Sequence, residues 1–113
     1  MPNPKIAVVI LNWNGKEMMR RFLPSVVNYS KDAAEVIVAD NGSTDGSLEM
    51  LAAEFPTVRR LPLSKNYGFA QGYNEALRGL EADYYLLLNS DVEVTPGWLL
   101  PLLDYMEAHP ETA

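Results

Sequence analysis

The side chains with chemistry to offer carry oxygen and stand directly after apolar runs. Asp40 follows Val36–Ala39, and Asn41-Gly42 then turns the chain away. A carboxylate so placed stands at the rim of a sheet, where it can accept hydrogen bonds from the N–H edge of a base or from ribose hydroxyls. Asn89-Ser90-Asp91-Val92-Glu93 follows Tyr84–Leu88. If the extended geometry persists, positions 89, 91 and 93 share a side and bring one amide and two carboxylates together. Such a set suits Mg2+ or Mn2+, hard cations that take one or two carboxylates together with substrate phosphates. Asp91 is read as the metal ligand, and Glu93 as part of the turn ahead of the next helix. Trp13, just past the first apolar run, offers a flat face on which a base can stack, with core burial as the competing reading.

The same residue types also build turns and caps. Ser43, Thr44 and Asp45 are assigned to structure, as caps for a helix Ser47–Glu54. Gly68 and Gly72 lack both the Gly-Lys-Ser/Thr ending of a phosphate loop and the Gly-x-Gly-x-x-Gly fingerprint, so they are read as packing or turn glycines, with Lys65 a solvated charge. His109 is given no role. Convergence is what favours ligand chemistry: Asn12–Gly15, Asp40–Ser47, Ser64–Gly72 and Asn89–Thr95 all concentrate Asn, Asp, Gly, Ser and Thr where apolar runs stop.

The elements that must position these residues alternate. Lys5–Asn12 (KIAVVILN) is a continuous branched apolar run, the mark of a strand covered on both faces. Glu35–Ala39, Val58–Leu63 and Tyr84–Asn89 are the other predicted strands, and Pro62, which has no N–H for a ladder, puts the third at an edge. Helical spacing joins Met18, Phe22 and Val26, then Leu48 and Leu51, then Phe69, Tyr73, Ala76, Leu77 and Leu80. Thr95-Pro96 starts a fourth predicted helix with Trp98, Leu99, Leu102, Leu103 and Met106 on its apolar face. Pro24 and Pro101 predict bends or displaced boundaries. The pattern predicts an α/β three-layer sandwich, with a mostly parallel sheet and helices on both faces. Ligands of such sheets bind outside the carboxyl ends of the strands, where the four polar segments fall.

Composition sets the outer bounds. At 113 residues and 48% hydrophobic, the chain reads as one domain spanning 1–113 with a single core. The net charge is −6 and the nine Lys and Arg are scattered, which excludes a basic stripe for nucleic acid. Phosphate ligands stay open, because a metal ion or backbone N–H groups can supply the local positive field. Absence of cysteine removes disulfides, thiolate catalysis and zinc–sulfur sites together. No apolar run approaches the ~20 residues of a membrane span, and the start lacks a secretory leader's pattern, so a cytoplasmic location is expected. A receiver-type signalling domain would need an acidic pair where Asn12, Trp13 and Asn14 stand, and a dinucleotide oxidoreductase would need glycines there. A non-catalytic nucleotide-binding or assembly module stays open.

VVILNWNG, VADNGSTDGS, NYGFAQGYN and LLLNSDVEVTPGWL stand in an order and spacing that resemble the N-terminal half of inverting family-2 glycosyltransferases, closest to the rhamnosyltransferase-like branch. The resemblance runs from Lys5 to about Leu103. It implies a Rossmann-like GT-A nucleotide-binding half and a role in polysaccharide biosynthesis. By position, Trp13 matches the aromatic that lies against the nucleobase, and Asp40 matches the acidic residue that binds the base or its ribose. Asn89-Ser90-Asp91 matches the DxD motif, whose last Asp binds the divalent metal bridging the diphosphate. Asn89 replaces the first Asp, which leaves Asp91 as the principal ligand. Asn66, Gly68 and Asn74 match motif positions read as structural.

The partners the resemblance implies are a nucleotide-diphosphate sugar and a glycan or lipid-linked acceptor, with peripheral membrane association of the full enzyme. The general base and acceptor-binding elements come from the other half of the family, so no catalytic residue is assigned here. The expectation is therefore a truncated donor-binding half that binds nucleotide without independent turnover. An incomplete sheet with an open edge or apolar face would favour a homodimer.

Overall fold

The computed structural model describes residues 5–30, 34–90, 94, 98 and 99. Its elements run β1 (Ile6–Asn12), α1 (Lys16–Ser30), β2 (Glu35–Asp40), α2 (Ser47–Glu54), β3 (Arg59–Pro62), α3 (Phe69–Arg78) and β4 (Tyr84–Asn89). Every strand pair is parallel, and the sheet order is β3-β2-β1-β4. The order reverses between β1 and β4, which makes the carboxyl end of β1 the switch point of the sheet.

The apolar run of β1 fills the centre because both of its faces are covered. Val8 and Ile10 join Val36 and Val38 of β2 under Met19, Leu23 and Val26 of α1 and Met50 and Leu51 of α2. Ala7 and Val9 join Ile37 and Ala39 on the opposite face under Tyr73 and Ala76 of α3, with Leu80 just beyond that helix. The result is the expected three layers, and each fully buried Val, Leu or Ile contributes about 1.5–3 kcal/mol. Gly72 lets α3 lie close to the sheet: a methyl group there would come within 2.9 Å of Leu11 Cδ2 and 3.0 Å of Asn41 Nδ2.

Several local expectations change in the structure. The inward face of α1 is Met19, Leu23, Val26 and Ser30, not Met18, Phe22 and Val26. Both 22 and 23 reach 26 at helical spacing, and the sheet selects the second set. Met18 is exposed, and the Arg21 guanidinium lies 5.2 Å from the Phe22 ring centroid. Pro24 sits inside α1 without dividing it. The N-cap of α2 is Gly46 in a left-handed conformation, with no side-chain cap hydrogen bond.

At the edges, β3 is two residues shorter than the predicted Val58–Leu63, and it takes the edge place that Pro62 dictates. On β4, Leu86 and Leu88 pack on the core while Tyr85 and Leu87 are exposed. The helix expected from Thr95-Pro96, with Pro101 inside it, lies outside the described residues. Of that stretch, Val94 N–H donates to Ser25 Oγ at 3.0 Å and Trp98 Nε1 to Ser30 Oγ at 3.1 Å. Among the described residues no helix is long and apolar enough to cross a membrane.

Candidate functional site

Parallel strands put their carboxyl ends at one rim, and the register makes three of them level. Asn12 pairs with Asp40 across β1 and β2, and Leu11 pairs with Asn89 across β1 and β4. Asp40 and Ser90 therefore flank Asn12 from either side. Neighbouring strands lie about 4.8 Å apart, so the β2 and β4 ends are separated by roughly 10 Å.

Asp40 is 2% exposed. Its Oδ1 accepts from Asn12 Nδ2 at 3.0 Å, and its Oδ2 accepts from the Ser43 N–H at 2.9 Å. An ionised carboxylate has about four acceptor positions, so two are left for other donors. Asn12 itself is fully buried; its Nδ2 also donates to Ser43 Oγ at 3.2 Å, and its Oδ1 accepts from the Gly15 N–H at 3.1 Å. Trp13 is 57% exposed, which excludes core burial and leaves its ring at the rim.

Ser43, Thr44 and Asp45 act structurally: Ser43 and Thr44 bond across to the loop after β1 rather than capping α2, while Asp45 accepts amides of both α1 and α2. Asn14, at φ 50, donates its N–H to Ser43 Oγ at 2.8 Å, and its Oδ1 accepts from the Thr44 N–H at 2.8 Å. Asp45 Oδ2 accepts the Lys16 N–H at 3.1 Å, the first amide of α1, while Oδ1 accepts the Ser47 N–H and hydroxyl. Burial pushes the Asp45 carboxyl up, but the Ser47 hydroxyl and the amides of Lys16 and Ser47 outweigh it and hold the group below the ordinary carboxylate range.

Asn41 organises the next loop. It is buried; its Oδ1 accepts the Tyr67 N–H at 2.9 Å, and its Nδ2 donates to Gly68 O at 3.0 Å. Asn66 Oδ1 accepts the Gly68 N–H at 2.8 Å, a turn contact in keeping with a structural reading of both residues. Lys65 lies over the Tyr67 ring, and Asn74 is exposed on α3. Tyr73 donates its hydroxyl to Leu88 O at 2.7 Å and so ties α3 to the end of β4, and burial pushes its phenol up.

At β4, Asn89 is exposed and Ser90 is half-buried. Gly15 separates Ser90 from Asn12: a methyl group on it would come within 2.5 Å of Asn12 Oδ1 and 3.3 Å of Ser90 Oγ. The first and fourth polar segments therefore touch. Asp91 and Glu93 lie outside the described residues. Among the described residues no group of three or more His, Cys, Asp or Glu could hold a metal ion. What the rim offers from Asn89 and Ser90 is amide and hydroxyl oxygen, the donor type that Mg2+ and Mn2+ accept. Sequence reasoning missed Asn12 and Asn41 as organisers. The available signal was an Asn closing a long apolar strand, where water is absent and an amide needs partners.

An open parallel α/β sheet with a polar rim at its switch point is the class that fold and site define. Residues 7–113 match the model of the family described as glycosyl transferase family 2, and the chain belongs to that family. It is 30% identical over 110 residues to an N-acetylglucosaminyl-diphospho-decaprenol L-rhamnosyltransferase of Mycobacterium tuberculosis, covering 88% of this chain and 36% of that protein. It is 40% identical over 92 residues to the uncharacterized glycosyltransferase YfnE of Bacillus subtilis, covering 78% of this chain and 23% of the relative. The chain thus spans about a third or less of these relatives. Among solved structures, S. aureus TarS in complex with UDP-GlcNAc superposes with a TM-score of 0.79 at 24% identity, covering 93% of this chain and 32% of that one. The mannosyltransferase PcManGT of Pyrobaculum calidifontis, in complex with GDP-Man and Mn2+, gives a TM-score of 0.77 at 21% identity, covering 92% and 32%. These likenesses establish the Rossmann-like, mostly parallel α/β fold.

Proposed function

We propose that this chain is the donor-binding half of an inverting glycosyltransferase, holding a nucleotide-diphosphate sugar across the carboxyl rim of the sheet. The observation that carries the reading is the level meeting of Asp40, Asn12, Gly15 and Ser90 at the switch point. Trp13 stacks on the base, and Asp40 accepts from the base N–H edge or a ribose hydroxyl with the acceptor positions its internal contacts leave. Asn89, Ser90 and Asp91 address the diphosphate, with Asp91 the principal ligand of a divalent cation. When bound, Mg2+ or Mn2+ supplies positive charge against the charge growing on the departing diphosphate. The TarS complex with UDP-GlcNAc and the PcManGT complex with GDP-Man and Mn2+ support that donor class and that cation.

In the reaction, an acceptor hydroxyl oxygen attacks the anomeric carbon from the side opposite the diphosphate. The bond to the diphosphate breaks and its electron pair leaves with that group. The hydroxyl proton passes to a carboxylate assigned to the part of the longer relatives that this chain does not match. The name of the rhamnosyltransferase relative supports a lipid-linked or glycan acceptor. Calorimetry of UDP-, dTDP- and GDP-sugars with and without Mn2+ tests the reading. Metal-dependent binding is expected that Asp91→Ala abolishes, and equal affinity in the two proteins would refute the metal assignment. Asp40→Ala is expected to weaken free nucleoside as well as nucleotide.

A further inference from the structure

We infer that Asn12 is a positioning residue for the nucleotide end of the rim, acting through Asp40 and the Trp13 loop; the inference rests on the nucleotide reading above. Asn12 touches no ligand, since it is 0% exposed. Its amide makes three of its four possible hydrogen bonds: Nδ2 donates to Asp40 Oδ1 at 3.0 Å and to Ser43 Oγ at 3.2 Å, while Oδ1 accepts the Gly15 N–H at 3.1 Å. Flipping the amide would set its oxygen against a carboxylate oxygen and its NH2 against the Gly15 N–H, so one orientation alone satisfies all three groups. The packing of β1 does not require this residue. Positions 6–10 are aliphatic on both faces, and a buried amide costs free energy that only its hydrogen bonds offset.

What the amide adds is coupling. Asp40 has no cation partner among the described residues, so the direction of its carboxylate is set by Asn12 and the Ser43 N–H. Trp13 lies between Asn12 and Asn14, and both neighbours are pinned to Ser43 Oγ. One buried side chain therefore bonds both the carboxylate and the Ser43 hydroxyl that anchors the loop carrying the aromatic, the two groups that the nucleotide reading assigns to the same base and ribose being the carboxylate and that aromatic.

The test compares Asn12→Ala, Asp40→Ala and the double variant with the unmodified 113-residue chain. Calorimetry measures uridine, thymidine, guanosine and their diphosphates, and thermal unfolding is followed in parallel. Asn12→Ala is expected to bind nucleoside and nucleoside diphosphate about tenfold more weakly by the same factor, leaving the ratio between them unchanged. In the Asp40→Ala background the same substitution is expected to add less than threefold, because contacting residues that act as a unit are non-additive. A role confined to stability would lower the unfolding temperature and leave the folded protein's affinity unchanged, which would overturn the inference. So would losses that multiply in full in the double variant, or a loss confined to the diphosphates. Should Asn12→Ala not fold, Asn12→Ser keeps a hydroxyl for part of the network and is judged by the same criteria. If the unmodified chain binds none of these nucleosides or diphosphates, the nucleotide reading itself fails and takes this inference with it.

Discussion

A carboxylate held inside a protein by dipoles alone is sensitive to the smallest chemical change, and Asp40 is such a group. Each of its oxygens meets one donor, Asn12 Nδ2 or the Ser43 N–H. Asp40→Asn keeps the shape and brings an NH2 that faces one of those donors in either orientation. A buried donor left without an acceptor costs about 1–3 kcal/mol. Urea unfolding of Asp40→Asn is expected to show a loss of that size, and an unchanged midpoint would mean that Asp40 relaxes freely towards water. At this scale the sequence was half legible. Asp40 announces itself as a carboxylate directly after an apolar run, and Trp13 as an aromatic just past one. Asn12 and Asn41 do not, because NWNG and DNG are equally good turn strings, and only their partners on other strands and loops distinguish a buried bracket from a turn residue.

At the scale of elements, the loops after β1 and β2 behave as one unit because side chains of each satisfy amides of the other. Asp45 shows this best, since it accepts the first amide of α1 while also turning the chain into α2. The hydrogen bonds hold its folded-state pKa below the ordinary value despite the opposing effect of burial. A depressed carboxyl pKa contributes stability that is fully present above the unfolded value of about 3.9 and is lost as pH falls through the folded value. Asp45→Asn is therefore expected to cost about 1 kcal/mol near neutral pH, the usual worth of such a cap. It is also expected to flatten the acid limb of stability below about pH 4. Urea midpoints measured from acid to neutral pH check both, and a variant that kept the full acid limb would assign that limb to other carboxyls. The sequence indicated that Ser43, Thr44 and Asp45 were structural and pointed all three at α2; Asp45 does reach the Ser47 amide, but Ser43 and Thr44 turn to the loop after β1, and Asp45 holds α1 as well. Caps are usually local, and nothing in a linear reading shows that a neighbouring loop will present a better donor.

Across the whole molecule, the strand order places chemistry and stability in different parts of the same sheet. β1 and β2 lie inside it, and the continuous apolar run of β1 predicted its burial on both faces correctly. YYLLLN reads as a similar run, but β4 alternates between half-buried and exposed because it ends the described sheet beside β1 and α3 lies over β1 and β2. Composition cannot reveal this, since burial belongs to the neighbours as much as to the residue. Ile37 on β2 is 0% exposed in the α3-side core, whereas Leu87 on β4 is 48% exposed although it pairs in register with the central Val9. Ile37→Ala is expected to cost about 2–5 kcal/mol, from lost transfer energy plus the cavity left behind. Leu87→Ala is expected to stay within about 0.5 kcal/mol, as surface substitutions do. Denaturant unfolding of the two variants decides the point. A large loss from Leu87→Ala would mean that its face is covered in solution, and that β4 belongs to the interior as firmly as β1 does.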